Sequence, residues 1–120
     1  MAKVMVVDDA RADVKLMESI IRSAGHDVVS YLDGEALEEK LVTERPDVLL
    51  LDIVMPKRNG YEILRSLKRD PRLKTTPVVV VSSKNQPSDR TWGLRQGADE
   101  YLAKPFTPAE LLAAVGRFVS

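Results

Sequence analysis

The sequence predicts an α/β domain with a doubly wound parallel sheet, and three observations carry the prediction. Short β-branched apolar runs alternate with segments of helical period along the chain. The runs are continuously apolar instead of alternating with polar residues, the pattern of strands covered on both faces. Several of them give way abruptly to an acid, a hydroxyl or a lysine, at Asp8, Asp52, Ser82 and Lys104. At 120 residues, with 44% hydrophobic and 30% charged side chains, the chain is long enough for one core and is expected to form a single soluble domain over 1–120.

Residues 3–7 form the first strand, which ends at Asp8-Asp9. A helix is expected over 11–24, where Val14, Leu16, Met17, Ile20 and Ile21 follow a helical period and Gly25 stops the pattern. Residues 27–31 read as a short strand closed by the turn signal Asp33-Gly34. Residues 35–43 read as a helix with Ala36, Leu37 and Leu41 inward. The run 47–51 is a buried strand ending at Asp52, and residues 55–60 form a loop. A helix over 61–69 turns Ile63, Leu64 and Leu67 inward, and 77–81 is another buried strand, ending at Ser82-Ser83. A short helix over 88–96 stops at Gly97, and 100–103 is a strand ending at Lys104-Pro105. Thr107 caps a last helix that runs to Phe118, with Pro108 at its first position and Glu110 at its third, the layout of a capping box. Five strands thus alternate with five helices.

Lysine plus arginine and aspartate plus glutamate number 18 each, so the formal net charge is zero. A balanced chain has no whole-molecule attraction for nucleic acid, and none is expected as a partner. There is no cysteine, which excludes disulfides, thiolate zinc sites and cysteine nucleophiles. The one histidine, His26, follows Gly25 in a turn and is expected to be exposed, with no partner for catalysis. The apolar runs are too short to span a bilayer and the N-terminus lacks a signal-peptide pattern, so no membrane partner and a cytoplasmic location are expected.

In a parallel sheet the carboxyl ends of all strands share one edge, and ligand sites of open α/β sheets form there. Asp8, Asp9, Asp52, Ser82 and Lys104 are far apart in sequence but converge at that edge. Three crowded carboxylates repel, and one or more loses its charge unless a cation joins them. Lys104 supplies one positive charge, and a hard divalent ion with oxygen ligands, best matched by Mg2+, supplies the rest. Such a pocket suits a phosphoryl group, and one carboxylate can act as nucleophile to give an aspartyl-phosphate. Asp52 is the candidate because it stands alone at the end of the central strand.

These residues also carry a family pattern. Asp8-Asp9, Asp52-Ile53-Val54-Met55-Pro56, Asn59-Gly60, Ser82-Ser83-Lys84, Gly97-Ala98-Asp99, Tyr101 and Lys104-Pro105-Phe106 resemble the receiver domain of two-component response regulators, over essentially all 120 residues. Because the sequence stops at the last helix, it looks like a stand-alone, CheY-like regulator. Ser82-Ser83-Lys84 together with residues 88–98 looks similar to regulators of type IV pilus twitching motility and related taxis systems.

The resemblance implies a three-layer, flavodoxin-like fold with parallel strands in the order 2-1-3-4-5. It implies that Asp52 takes a phosphoryl group from the phosphohistidine of a histidine kinase in an Mg2+-dependent reaction. Asp9 and Asp52 would bind Mg2+ directly, with the main-chain carbonyl of Val54, and Asp8 would act through a water. Lys104 would pair with the phosphoryl oxygens, Ser82 would swing to hydrogen-bond them, and Tyr101 would move into the space left behind. The Lys104-Pro105 peptide is expected to be cis. A downstream partner protein would read the face made by the fourth helix, the fifth strand and the final helix, with Arg90, Leu94 and Tyr101 as candidate contacts. Ser82 stands where threonine is commoner, and Val54 and Lys84 fill variable positions that tune phosphoryl lifetime.

Each residue taken singly has a plainer reading. Asp8-Asp9 can cap a helix, Asp52 can start a loop, Ser82 can be a satisfied strand-end hydroxyl and Lys104 can be solvated. Their joint occurrence at four strand exits outweighs those readings. Asp47 and Asp99 are assigned structural roles, and Trp92 is read as half-buried filler of a helix seam. An Mg2+-dependent phosphatase or phosphotransferase with an aspartyl nucleophile competes, but such enzymes commonly separate the two acids of the first strand by one residue and carry a cap insertion. Here Asp8 and Asp9 are adjacent. A flavin module would need a phosphate loop after the first strand, where Asp8-Asp9-Ala10-Arg11 repels phosphate. The expected activity is therefore a signalling switch that catalyses only its own phosphorylation and slow autodephosphorylation.

Overall fold

The computed structural model describes residues 2–119. The elements run β1 (Lys3–Val7), α1 (Arg11–Ser23), β2 (Asp27–Tyr31), α2 (Leu37–Glu44), β3 (Val48–Leu51), α3 (Gly60–Arg69), β4 (Val78–Ser82), α4 (Pro87–Arg95), β5 (Glu100–Ala103) and α5 (Pro108–Gly116). The strands form one five-stranded sheet in the order β2-β1-β3-β4-β5, parallel at every pairing.

The continuous apolar runs are explained by the two faces of this sheet. Successive strand residues point to opposite sides. Met5, Val7, Leu49, Leu51, Val78 and Val80 pack with Leu37, Leu41, Ile63, Leu64 and Leu67 of α2 and α3. Val4, Val6, Val48, Leu50, Val79 and Val81 pack with Val14, Met17, Ile20 and Ile21 of α1 and with Leu111, Ala114 and Val115 of α5. Burying each such valine or leucine contributes about 1.5–3 kcal/mol, enough for both helix layers to clamp the sheet firmly. α4 differs, since Gly93 is its one buried residue. No helix among the described residues is long and apolar enough to cross a membrane.

The sheet ladder continues one bond past three strands. Asp8 N donates to Tyr31 O at 3.2 Å, Asp52 N to Val7 O at 2.9 Å and Lys104 N to Ser82 O at 2.8 Å. The backbone under the polar strand exits is thereby held in register with the core. The expected cap of α5 is present, with Glu110 N donating to Thr107 Oγ1 at 3.1 Å and Thr107 N to Glu110 Oε1 at 2.8 Å. The Lys104-Pro105 peptide is cis.

Three local expectations need correction. α2 begins at Leu37, and Ala36, expected inward, is exposed with a left-handed φ of 52°. Asp33 Oδ1 accepts the Glu35 amide at 2.9 Å, and this side-chain turn displaces the helix start. Leu16 is 50% exposed, because two positions from Val14 is the outer face of α1. His26 is half-buried, and its Nδ1 accepts the Ala2 amide at 3.2 Å, so it closes the start of β1. Trp92, 49% exposed, is half-buried as expected, its ring T-shaped to that of Tyr61 across α3 and α4.

Candidate functional site

The strand exits converge as the parallel topology requires. Asp8 and Asp52 are buried and Asp9 is exposed, and the three carboxylates place oxygens within 4.8 Å of one another. Among the described residues no other set of three or more histidine, cysteine or acidic side chains comes together in this way. Asp8 Oδ1 accepts the Ala10 amide at 2.9 Å, and Asp52 Oδ1 accepts the Val54 amide at 3.2 Å. Lys104 Nζ donates to Asp8 Oδ2 at 2.7 Å and to Asp13 Oδ2 at 2.8 Å, and lies 3.8 Å from Asp52 Oδ2.

A glycine makes the loop after Asp52 possible. Gly60 begins α3 with its amide donating to Ile53 O at 3.0 Å, and a Cβ there would fall 2.4 Å from Ile53 Cα. Only glycine lets the helix start close this tightly on the backbone beside Asp52. Asn59 then caps the helix, its side chain accepting the Tyr61 amide at 2.8 Å.

The electrostatics leave Asp52 short of partners. Burial, then the negative charge of Asp8, push its carboxyl up to about 6, and the ammonium of Lys104 and the Val54 amide only partly oppose this. Burial disfavours the charge on Lys104, but hydrogen bonds to Asp13 and Asp8 outweigh it and hold the ammonium above its ordinary pKa. The set is all oxygen and overloaded with negative charge. That chemistry fits a hard divalent cation such as Mg2+.

A second cluster adjoins the acids. Ser82 is fully buried and its Oγ accepts the Lys84 amide at 3.2 Å. Tyr101 is already inward, buried, with its hydroxyl donating to Lys84 O at 2.7 Å. Burial pushes that hydroxyl up to about 12, so it remains a donor. Arg90 of α4 donates to Tyr101 O at 3.0 Å. Gly93 makes the room: a Cβ there would fall 2.8 Å from Tyr101 Cδ2.

Asp8, Asp9, Asp52, Ser82 and Lys104 therefore meet at one edge, with Tyr101 behind Ser82. Val54 contributes an amide to Asp52 and its side chain is half-exposed beside the acids. Asp99 has the structural role assigned to it, accepting the Val78 amide and Lys68 Nζ, both at 2.8 Å. Asp47 does too, accepting the Lys3 amide at 2.8 Å where β1 begins. Asp13 joins the site unannounced by any motif: it is an acid in the first turn of α1, and only the fold brings it to Lys104.

Known proteins bear on this geometry. Protein PilH of Pseudomonas aeruginosa is 38% identical over 118 residues, covering 96% of this chain and 95% of that protein. Protein PilG of the same organism is 36% identical over 113 residues, covering 94% of this chain and 84% of that one. The crystal structure of the chemotaxis protein CheY4 of Vibrio cholerae superposes with a TM-score of 0.89 at 30% identity, covering 99% of each chain. The pattern of the response regulator receiver domain runs through residues 4–116, from β1 to the end of α5. A match that takes in every strand exit described above leaves one conclusion, that this chain belongs to the family of response regulator receiver domains.

Proposed function

We propose that this chain is a phosphorylatable switch in which Asp52 accepts a phosphoryl group from the phosphohistidine of a histidine kinase. The observation that carries the reading is a buried carboxylate left short of positive charge, pushed up to about 6, beside a lysine and two further acids. An oxygen of Asp52 attacks phosphorus; the O–P bond forms as the P–N bond breaks, and the imidazole leaves with the electron pair. Asp9, Asp52 and the carbonyl of Val54 would hold Mg2+, with Asp8 acting through a water. Bound there, the ion would neutralise charge gathering between the carboxylates and the phosphoryl oxygens.

The chain's own residues supply the rest. Lys104 donates to the phosphoryl oxygens. Ser82 turns its hydroxyl to them and gives up the Lys84 amide. Lys84 also holds the Tyr101 hydroxyl through its carbonyl, so the backbone at Lys84 links acceptor to Tyr101. Tyr101 in turn meets Arg90 and Gly93 of α4. The inward Tyr101 is one of two positions, and phosphorylation favours it over the outward one. A partner protein then reads the face of α4, β5 and α5, where Arg90 and Leu94 are exposed. The likeness to PilH, PilG and the chemotaxis protein CheY4 supports a place in motility or taxis signalling, in the cytoplasm.

Acetyl phosphate with Mg2+ tests the reading. A stable, stoichiometric adduct in the wild type and none in Asp52→Asn is expected. Rapid turnover of acetyl phosphate without an adduct would favour the phosphatase reading, and an adduct at wild-type stoichiometry in Asp52→Asn would overturn the assignment.

A further inference from the structure

We infer that Asp13 is a positioning residue for Lys104: it competes with the phosphoryl group for the lysine ammonium and so restrains acceptance at Asp52. The inference rests on the phosphoryl reading above. An ammonium has three donors. Two of those of Lys104 are taken, by Asp8 at 2.7 Å and by Asp13 at 2.8 Å, while Asp52 lies at 3.8 Å, outside hydrogen-bond range. The lysine is drawn toward α1 and away from the acceptor.

Asp13 has no other visible task. Ala10 occupies the cap position of α1, and no side chain caps that helix. Among the described residues Lys104 is the one hydrogen-bond or ion-pair partner of the Asp13 carboxylate. The two ends of the pair differ in cover, the Lys104 side chain being 14% exposed and that of Asp13 40%. The lysine has less access to water for its bonds, whereas Asp13 can be released to water at little cost. Phosphoryl oxygens arriving at Asp52 would draw Lys104 off Asp13 and not off the buried Asp8. Asp13 thus sets how much anion affinity the lysine has to spare.

The test is a beryllofluoride titration of the full chain with Mg2+, read by the fluorescence of Trp92 and by amide shifts at Ser82 and Lys104. Asp13→Asn and Asp13→Ala are expected to tighten binding by about fivefold, the scale of a partly exposed ion pair. Asp13→Glu, which keeps charge and reach, stays near the wild type. Ala12→Asp combined with Asp13→Asn restores the charge one position along α1 without the contact, and the gain persists. Unchanged or weaker binding in both Asp13→Asn and Asp13→Ala would overturn the inference, as would a gain in Asp13→Glu equal to that in Asp13→Ala. Loss of the gain in the double variant would also overturn it, by showing charge at a distance and not competition for Lys104. A wild type with no saturable response would overturn the phosphoryl reading and this inference together.

Discussion

Glu38 and Asp52 are both sheltered carboxylates with a cation nearby, and the fold treats them in opposite ways. Glu38 on α2 receives Arg58 through both oxygens, at 2.8 and 2.7 Å, and Ser66 Oγ at 2.7 Å. The guanidinium bond leads the effects that hold its carboxyl down at about 2. Arg58 also donates to Gly34 O at 3.0 Å, so one ion pair ties the turn before α2 and the loop before α3 to both helices. Asp52 has a single amide, a lysine committed elsewhere and a like charge beside it, and it is pushed up to about 6. The first region is complete and serves stability. The second is incomplete, and its deficit is what a cation and a phosphoryl group would relieve.

The largest effects should come from breaking each region in turn. Arg58→Met leaves a sheltered Glu38 without its cation and is expected to destabilise the fold by about 2 kcal/mol at pH 7, measured by urea unfolding. Asp52→Asn removes a frustrated charge and should stabilise by about 1–2 kcal/mol under the same conditions. Equal signs for the two variants would show that the fold holds the two carboxylates alike.

Their pH responses run in opposite directions. The folded carboxyl of Asp52 lies above its ordinary 3.8, so the folded state holds that proton more tightly. Its contribution is fully present below about pH 4 and is lost as pH rises through about 6, so acidifying from pH 7 to 5 should raise stability. Glu38 lies below its ordinary 4.5, so its contribution is present above that pH and is lost as pH falls toward 2. Urea midpoints should therefore rise from pH 7 to 5 in the wild type, stay flatter in Asp52→Asn, and fall below pH 4.5 less steeply in Glu38→Gln than in the wild type.

Mg2+ provides a smaller contrast. At a few times its dissociation constant it should add about 1 kcal/mol of stability, by mass action. Asp9→Ala should abolish that gain and Arg58→Met should leave it intact, since only the acid pocket is involved. A melting temperature that responds to Mg2+ equally in Asp9→Ala and the wild type would remove Asp9 from the proposed ligands.

Gly93→Ala should change stability least. Alanine favours the helix by about 0.5–1 kcal/mol, while its Cβ crowds the Tyr101 ring, so the two effects roughly cancel. What moves is the ring, which should leave its inward position and lose the bond to Lys84 O. Aromatic NMR of Tyr101 reads this directly, and an unmoved ring would show that α4 yields instead.

The fold was legible because continuous apolar runs on both sheet faces leave few alternatives. Asp8, Asp9, Asp52, Ser82 and Lys104 were legible because a parallel sheet brings strand exits to one edge whatever lies between them. Other features were not. Asp13 meets Lys104 across 91 residues of sequence, and Arg58 meets Glu38 across 20, through side-chain reach that no local pattern encodes. The role of His26 follows from the Ala2 amide that it accepts just before β1. Ala36 in a left-handed turn runs against alanine's helical preference, and Asp33 imposes it from outside the helix.

If the incomplete carboxylate is the acceptor, chemical trapping will find the phosphoryl group on Asp52. Incubation with acetyl phosphate and Mg2+, followed by borohydride reduction, converts an aspartyl-phosphate to homoserine, which mass spectrometry of peptides locates. Homoserine is expected at position 52 alone, formed only with Mg2+ present. Homoserine at position 8 or 9, or none anywhere under conditions that label an established receiver domain, would contradict it.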